Sequence, residues 1–504
     1  MISFNNIPTT TRTPNVYAEI DNSRALQGLA TNPHKALIMA QKAPGLGTVD
    51  VGTLIAISND SLADGYFGTG GQLARMCNAF KAANPNTELY AIAVSTNATV
   101  LASAVMYLSD YFNSATYSGT GYLYMLVNGT KVKVTLTSNM TPVTAGSAIV
   151  ALINASTYSH TGIICSESAA NNSAVVFKAV CSGSQGNYLN IRFNYYAGES
   201  FPRGFSTNPT NASFVLAGGD SDTIGFTSAW AVLEDEQFHY IIQPYSGAAS
   251  LTSLETELEN RFLPTEDIQG HGFTCYGATT ALCTTLGNSR NSPYNTVFGI
   301  YDSPTAPEEI AATAGAVAAK YLNIDPARPL HFLKLPNVLP PPVENRFTRA
   351  EREVLLYDGI ATTITDSGGN QLIERCITTF QSNALGLPDW SYLDIQTMAT
   401  LSEIRYQFKT RMINRFIQPR FKLADDSFPV RAGTYVATPS TIKNEIVSLF
   451  YLLRDRGLIE NIDEFVENLI VERDSTDRNR INVLLSPDLI NQFRVLAGKI
   501  MFVL

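Results

Sequence analysis

Residues 480–504, RINVLLSPDLINQFRVLAGKIMFVL, decide how this chain is interpreted. Apolar residues alternate there in two runs, the first at residues 481–485 and the second beyond residue 492, with a slip of one residue near Gly498. Such a period of two predicts a β-ribbon with one apolar face. An unpartnered strand leaves N–H and C=O groups open, so we expect a donor strand at residues 489–504 to pair with another subunit. Its candidate contact residues are Phe493, Val495, Ile500 and Phe502.

Residues 1–30 predict a second extended arm. They contain Pro8 and Pro14, and their apolar residues are too few to bury a core and too many for a solvated tail. We expect this arm to lie on a neighbouring subunit and to add a strand there. The alternative is that both ends of the chain close a sheet within their own domain. The candidate contact residues of this arm are Phe4, Ile7, Val16, Tyr17 and Ile20.

The composition favours a large globular chain that associates with copies of itself. A length of 504 residues predicts about three domains. Only 16% of the residues are charged, against roughly 25% in typical soluble domains, as expected for a surface that other copies cover. The net charge of −9 provides no basic footprint for nucleic acid, so we expect no direct nucleic-acid partner.

Cysteine spacing and hydropathy exclude further classes. The six cysteines form no C-x-x-C pair and show no metal-like spacing with the five histidines, so we expect reduced structural thiols, no metal and no cofactor. The first residues lack the basic and apolar regions of a signal peptide, and no apolar run approaches the roughly 20 residues that span a bilayer. We expect neither secretion by a signal peptide nor membrane insertion.

Residues 31–118 predict the first part of an α/β domain. Short apolar runs at residues 36–40, 54–57 and 88–94 predict buried strands, and residues 71–81 predict a helix between the last two. The order strand, helix, strand predicts a layer with parallel pairing. The same pattern returns in residues 198–345, where an Ala-rich helix is predicted from residue 308 to residue 322.

Residues 119–197 predict a β-rich module inserted into this domain. Residues 119–196 hold five charged residues and several runs typical of hairpin strands. Because α/β sequence lies on both sides, we expect the module on the outer surface and dispensable for core assembly.

Residues 346–504 predict an α+β C-terminal domain. It follows a stiff Pro-rich connector at residues 335–342. Thr348 and Glu351 have the spacing of a capping box, and helices are predicted over residues 396–416 and from Pro439. The fold class is therefore α/β and α+β multidomain, with extended N- and C-terminal arms that form inter-subunit strands.

Five segments carry a resemblance to a known family. They are ISFNNIP at residues 2–8, YAEIDNS at 17–23, TLGNSRNSP at 285–293, LLYDGIAT at 355–362 and RINVLLSPDLINQFRV at 480–495. In this order along the chain they resemble the Mu-type contractile tail sheath proteins of bacteriophages.

The resemblance implies a structural protein of the virion and no enzyme. It implies stacked hexameric rings that form a helical sleeve around a tail tube and contract to drive the tube through the host envelope. The implied partners are other sheath subunits, the tail tube protein, and baseplate and tail terminator proteins, with assembly in the host bacterial cytoplasm. Contraction then needs no ATP, because an extended state of higher energy relaxes when it is triggered.

Two alternatives to a sheath remain open at this stage. The first is a hydrolase on the α/β domain, since the middle region of this family is sometimes described as subtilisin-like. No G-x-S-x-G elbow occurs, and no sequence motif places a serine and an aspartate beside His239, His271 or His331, so no catalytic residue is predicted. Residues 65–71 lack the glycine and lysine spacing of a phosphate-binding loop and predict a tight turn.

The second alternative is another self-assembling virion protein of the baseplate or tube.

A basic helix is the candidate tube-facing surface. In sheath proteins generally the C-terminal region forms the innermost layer, which faces the tube. The resemblance therefore implies that a basic helix in this region contacts an acidic tube surface. The alternative is a solvated helix face. The candidate residues are Arg405, Lys409, Arg411 and Arg415.

Overall fold

The computed structural model describes residue 13 and residues 29–114, 116–171, 173–205, 213–221, 224–429 and 434–503. The contacts divide the chain into two compact units. Unit 1 comprises Met1–Asn32 and Glu403–Ile490, and unit 2 comprises Pro33–Ser402 and Asn491–Leu504. The five apolar residues predicted as contacts of the N-terminal arm, from Phe4 to Ile20, lie outside the described residues.

The strands of the described residues are short, and most of them belong to unit 2. In chain order they are β1 (Lys35–Ala40), β2 (Leu54–Ile57), β3 (Glu88–Ala93), β4 (Ser103–Tyr107), β5 (Gly121–Val127), β6 (Thr130–Leu136), β7 (Ile163–Glu167), β8 (Ala174–Ala179), β9 (Asn190–Phe193), β10 (Ser213–Val215), β11 (Tyr240–Ile242), β12 (His271–Gly277), β13 (Asn295–Ile300), β14 (Thr362–Thr365), β15 (Gln371–Arg375), β16 (Lys422–Leu423), β17 (Val436–Ala437), β18 (Ile459–Glu460), β19 (Ile470–Arg473), β20 (Ile481–Leu484) and β21 (Asp488–Leu489).

The helices alternate with these strands, so the predicted mixed α/β character is confirmed. In the described residues they are α1 (Asp60–Phe67), α2 (Gln72–Ala83), α3 (Pro142–Ile153), α4 (Phe226–Leu233), α5 (Ala248–Phe262), α6 (Thr280–Asn288), α7 (Pro307–Ile324), α8 (Arg349–Tyr357), α9 (Ile395–Met412), α10 (Pro439–Asp455) and α11 (Ile462–Asn468), with a π-helical turn at Ile413–Ile417 directly after α9.

Unit 2 is built on a six-stranded sheet with the order β13, β12, β11, β1, β3, β2. The pairs from β13 through β3 are parallel. Strand β1 is buried except at its first residue, and β13 is buried throughout, as expected for a parallel sheet covered on both faces. Helix α7 packs closely on this sheet, because Gly315 leaves room where a Cβ atom would lie 2.7 Å from Ile242.

The predicted parallel pairing of the strand at residues 54–57 is wrong. Strand β2 runs antiparallel to β3. The prediction assumed a single helical crossover, whereas both α1 and α2 lie between these strands. The predicted turn at residues 65–71 is also shorter than expected, because Gly65 belongs to α1 and the turn begins at Gly68, with a φ angle of 83°.

Residues between β3 and β11 form two further sheets and a core of their own. One sheet has the order β10, β9, β5, β6, and the other has the order β4, β8, β7. Strands β5 and β6 form the predicted hairpin, with Asn128 and Gly129 at positive φ in the turn. Their apolar faces pack with α3 around Leu123, Val134 and Ile149. The boundaries of the inserted module at residues 119–197 stay a prediction.

Residues 346–402 pack with unit 2, whereas the sequence predicts a boundary at residue 346. Helix α8 begins with the predicted capping box, in which Thr348 and Glu351 bond each other's backbone N–H. Ala361 then accepts from Gly299 and donates to Val297, which adds the chain to the edge of β13. The contacts thus change at residue 403, and the predicted domain boundaries stay predictions.

Unit 1 is held together by α10 and α11. Phe450 and Phe465 stack with ring centroids 3.9 Å apart. Both rings are buried, together with Leu449, Leu453 and Leu458. Strands β19 and β20 form an antiparallel hairpin, and β21 pairs with β18. Helix α10 ends as predicted before Gly457, which has a φ angle of 74°.

Candidate assembly surfaces

The C-terminal segment, residues 491–503, exposes most of its large apolar side chains. None of these residues belongs to a helix or a strand. The exposed fractions are 75% for Phe493, 82% for Val495, 92% for Ile500 and 79% for Phe502. The predicted strand at residues 489–504 is therefore not formed beyond Leu489, because no strand of the described residues pairs with residues 490–503. A second copy as its partner stays a prediction.

The β19–β20 hairpin presents strand edges in unit 1. Four residue pairs join its strands, from Ile470 with Leu484 to Arg473 with Ile481. No third strand joins this sheet among the described residues. Ile470 and Leu484 are exposed, so the hairpin also has apolar surface that the described residues do not cover. A two-stranded hairpin is marginally stable alone and gains from additional strands.

The four basic residues of the candidate tube-facing set have different environments. Arg411 pairs with Glu445 of α10, and its side chain is 19% exposed. Arg415 lies in the π-helical turn at 3.5 Å from the same carboxylate and is 60% exposed. Arg405 and Lys409 are engaged in interactions of their own. Of the two arginines that share Glu445, Arg415 therefore has the more exposed side chain. Arg411 instead contributes to the packing of unit 1.

A buried ionic cluster joins three parts of unit 2. Arg75 of α2 donates to Glu308 at 2.8 Å and to Glu309 at 2.6 Å, both in the first turn of α7. Asn128 of the β5–β6 turn donates to Glu309 at 3.0 Å. Burial raises the pKa of Glu308, which the Arg75 guanidinium partly offsets. The pKa of Arg75 is raised, because the attraction of both carboxylates exceeds the opposing effect of burial.

Three of the five histidines pack within unit 2. His271 bonds Thr296 at 2.8 Å within the central sheet, and burial lowers its pKa to about 3. His239 stacks on His34 with centroids 4.1 Å apart, and burial lowers its pKa to about 2. Neither ring is placed by the structure beside a serine and an aspartate in a triad.

The described residues provide no other chemical centre of the kinds considered from the sequence. At Gly70 a Cβ atom would lie 2.4 Å from the Ser159 carbonyl oxygen. The space beside Gly70, in the glycine turn before α2, is therefore occupied by the backbone of Ser159. Within the described ranges no three His, Cys, Asp or Glu side chains gather in a way that could hold a metal ion. Every described helix also falls short of the length and apolarity needed to cross a membrane.

Comparison with known proteins assigns the chain to a family. The phage tail sheath protein central domain matches residues 219–379, and the phage tail sheath C-terminal domain matches residues 388–502. The Mu-like prophage FluMu tail sheath protein of Haemophilus influenzae is 34% identical over 503 residues, which is 100% of both chains. The chain belongs to the phage tail sheath family. The resemblance inferred from the five sequence segments is thereby confirmed.

Solved sheath structures are similar to the chain at low identity. The sheath tail protein of Desulfitobacterium hafniense is 14% identical, with a TM-score of 0.46 and coverage of 95% of this chain and 100% of the other. The sheath tail protein of Listeria innocua is 11% identical, with a TM-score of 0.48 and coverage of 93% and 94%. The helical sheath of the anti-feeding prophage in the contracted state is 12% identical, with a TM-score of 0.49 and coverage of 98% and 99%.

Several residues of these candidate surfaces were not predicted from the sequence. Glu445, which shares its carboxylate between Arg411 and Arg415, has no local signal except its place on an amphipathic helix. Arg494 and Asp394 form an ion pair across 100 residues, and no spacing rule connects them. The alternation of Ile481 and Val483 did locate β20, but its partner β19 was not predicted.

Proposed function

We propose that this chain is the subunit of a contractile tail sheath and that its copies stack as hexameric rings in a helical sleeve around a tail tube. Contraction of the sleeve drives the tube through the host envelope. The observation that carries the proposal is the C-terminal segment, which exposes seven large apolar residues from Phe493 to Val503 in a chain of the sheath family. Monomeric proteins rarely expose such a patch, so a partner is expected to cover it.

The partner that fits is a strand edge of a second copy. Residues 495–503 bring alternating apolar side chains, and the β19–β20 hairpin of unit 1 has an open edge on each strand among the described residues. Main-chain hydrogen bonds would supply affinity, and exposed Ile470 and Leu484 would supply apolar contacts. Because the donated segment and its acceptor surface differ, the contact is heterologous, and such contacts continue into rings or helical filaments.

Linked strands also suit a sleeve that changes length. Main-chain bonds of an added strand survive a rotation of whole domains, so copies stay connected while their bodies slide. The energy would be stored at assembly in a metastable extended state, and the chain would act without ATP and without catalysis. The tail tube, baseplate and tail terminator proteins are the remaining proposed partners, with assembly in the host cytoplasm and a final place in the virion.

The tube contact is proposed to include Arg415. It combines a largely exposed guanidinium with a loose 3.5 Å pair to Glu445, so an acidic tube surface would compete for it at little cost. Weak polar contacts of this kind allow the sleeve to release the tube as it contracts.

Negative-stain microscopy of the purified chain tests the proposal. We expect long hollow tubes from the wild type and none from Phe502→Asp, because burying an ionised carboxylate without a partner costs several kcal/mol. Phe332→Asp is the matched control, since Phe332 is 65% exposed and lies outside the C-terminal segment. Discrete particles from the wild type, or normal tubes from Phe502→Asp, would contradict the proposal.

A further inference from the structure

Arg494 connects the C-terminal segment to the body of unit 2. Its Nη1 atom lies 2.9 Å from each carboxylate oxygen of Asp394. The Nη2 atom of Arg375 donates to the same carboxylate at 3.3 Å. The Asp394 side chain is only 12% exposed, whereas the arginines are 30% and 36% exposed. One nearly buried carboxylate is thus shared by two guanidinium groups.

Asp394 is held in place by regular structure on both sides. It forms an isolated β-bridge with Ile377, just beyond the end of β15. Its carbonyl oxygen accepts from the backbone N–H of Thr397, in the first turn of α9. Arg375 is the last residue of β15. The carboxylate and its first arginine therefore belong to the packed body, while Arg494 comes from a segment with no helix or strand.

The second arginine is not needed to neutralise Asp394, because Arg375 already does so. An ordinary surface ion pair contributes little, and one arginine would be enough to keep the fold. The effect of adding Arg494 is to hold a segment whose apolar side chains are almost fully exposed. The ion pairs that join Arg375, Asp394 and Arg494 therefore hold the C-terminal segment against unit 2 at Arg494.

We propose that Asp394 is the anchor from which the C-terminal arm departs, so that only the residues beyond Arg494 are donated to a second copy. This inference rests on the proposed function, since it needs an arm that is donated. Residues 495–503 span at most about 30 Å when fully extended. The acceptor strand of the neighbouring copy must then lie within about that distance of the Arg494 backbone of the donor. Phe493 lies on the near side of the anchor and is not part of the donated strand, although the same neighbour can still cover its exposed ring.

Trypsin provides a direct test on the full-length, unassembled protein. It cleaves after Arg494 and after Lys499, two sites in the same segment. Asp394→Asn keeps the shape of the side chain and removes its charge, so we expect cleavage after Arg494 to become about two- to fivefold faster relative to cleavage after Lys499. Lys499 serves as the internal control. An unchanged ratio would overturn the anchor.

Assembly provides the second test. We expect Asp394→Asn and Arg494→Gln to slow the formation of sheath-only tubes, and Arg494→Lys to retain it because a cation remains. Arg328→Gln is the control, because Arg328 is an exposed arginine of unit 2 outside the C-terminal segment and the β19–β20 hairpin. If Phe502→Asp blocks tubes while both anchor variants assemble like the control, the anchor alone is wrong. If Phe502→Asp assembles normally, the donated arm of the proposed function is wrong, and the trypsin ratio still decides whether the anchor exists.

Discussion

Replacing Arg75 by methionine should strongly destabilise unit 2. Methionine keeps much of the length of the side chain but leaves Glu308 and Glu309 without their cation. The Glu308 side chain is 1% exposed and that of Glu309 is 19% exposed, so water replaces little of the lost interaction. Asn128 remains as a neutral donor to Glu309. The cluster also joins the β5–β6 turn to α2 and α7, so its loss loosens that contact.

The magnitude follows from the burial of the two carboxylates. Removing one partner of a buried ion pair costs about 3–5 kcal/mol. The N-terminus of α7 offsets up to about 1 kcal/mol of this, because its dipole favours negative charge. We therefore expect a loss of about 3 kcal/mol at pH 7.5. The deficit should shrink toward pH 5, since a carboxylate with a raised pKa in the folded state destabilises most above its unfolded pKa and less as it protonates.

Tryptophan fluorescence during urea unfolding measures this loss in unit 2 alone. The chain has two tryptophans, Trp230 and Trp390, and both belong to unit 2. Arg203→Met is the control, because Arg203 is exposed in the same unit. Adding Glu308→Gln and Glu309→Gln to Arg75→Met should restore most of the stability, since no uncompensated charge then remains. A loss below about 1 kcal/mol for Arg75→Met, or no recovery on neutralising both glutamates, would refute the reasoning.

Three further predictions concern histidine, glycine and arginine positions. His271 is neutral in the folded chain, with its pKa lowered from 6.5 to about 3, so stability falls as the pH drops below 6.5, by about 3 kcal/mol at pH 4.5. His271→Gln should lose that much less than the wild type between pH 7.5 and 4.5 in the fluorescence assay, and equal losses would contradict this. Gly287→Ala should cost about 1–3 kcal/mol of unfolding free energy, because its Cβ atom would lie 2.0 Å from the Asp358 carbonyl oxygen. The control is Gly65→Ala in α1, whose Cβ atom meets no atom within 4 Å, so this variant should be neutral or stabilising. Similar urea midpoints for the two variants would count against the close packing at Gly287. Arg415→Glu should leave sheath-only tubes intact and reduce co-sedimentation with tail tubes, with Arg454→Glu as the exposed control; unchanged tube binding would remove Arg415 from the interface.

The elements with strong periodicity could be predicted from the sequence. The β5–β6 hairpin has alternating apolar residues on both sides of an Asn128–Gly129 turn, and the structure has the same turn. The capping box of Thr348 and Glu351 likewise located the start of α8 within one residue. These signals are local, so they do not depend on how distant parts of the chain pack.

The errors came from a weak helix. Helix α1 has eight residues and contains Gly65, and its capping residue Asn59 gave the only clear start signal. Missing α1 turned a two-helix connection into a single crossover and reversed the direction of β2 relative to β3. A short helix that contains glycine is stabilised mainly by tertiary packing, which the sequence does not display.

The charged clusters could not be predicted at all. Arg75 meets Glu308 across 233 residues, and Arg494 meets Asp394 across 100 residues. The sequence displays these residues only as isolated charges in different segments. Likewise, nothing in the sequence indicates that Glu445 of α10 pairs with both Arg411 and Arg415, or that Arg411 is much less exposed than Arg415.

A helical reconstruction of the assembled sleeve tests the central claim most directly, because it shows where each C-terminal segment lies. We expect residues 495–503 of one copy to form a strand hydrogen-bonded to the β19–β20 hairpin of another, within about 30 Å of the Arg494 backbone of the donor. A sleeve in which these residues fold back on their own subunit, with the hairpin still two-stranded, would contradict it.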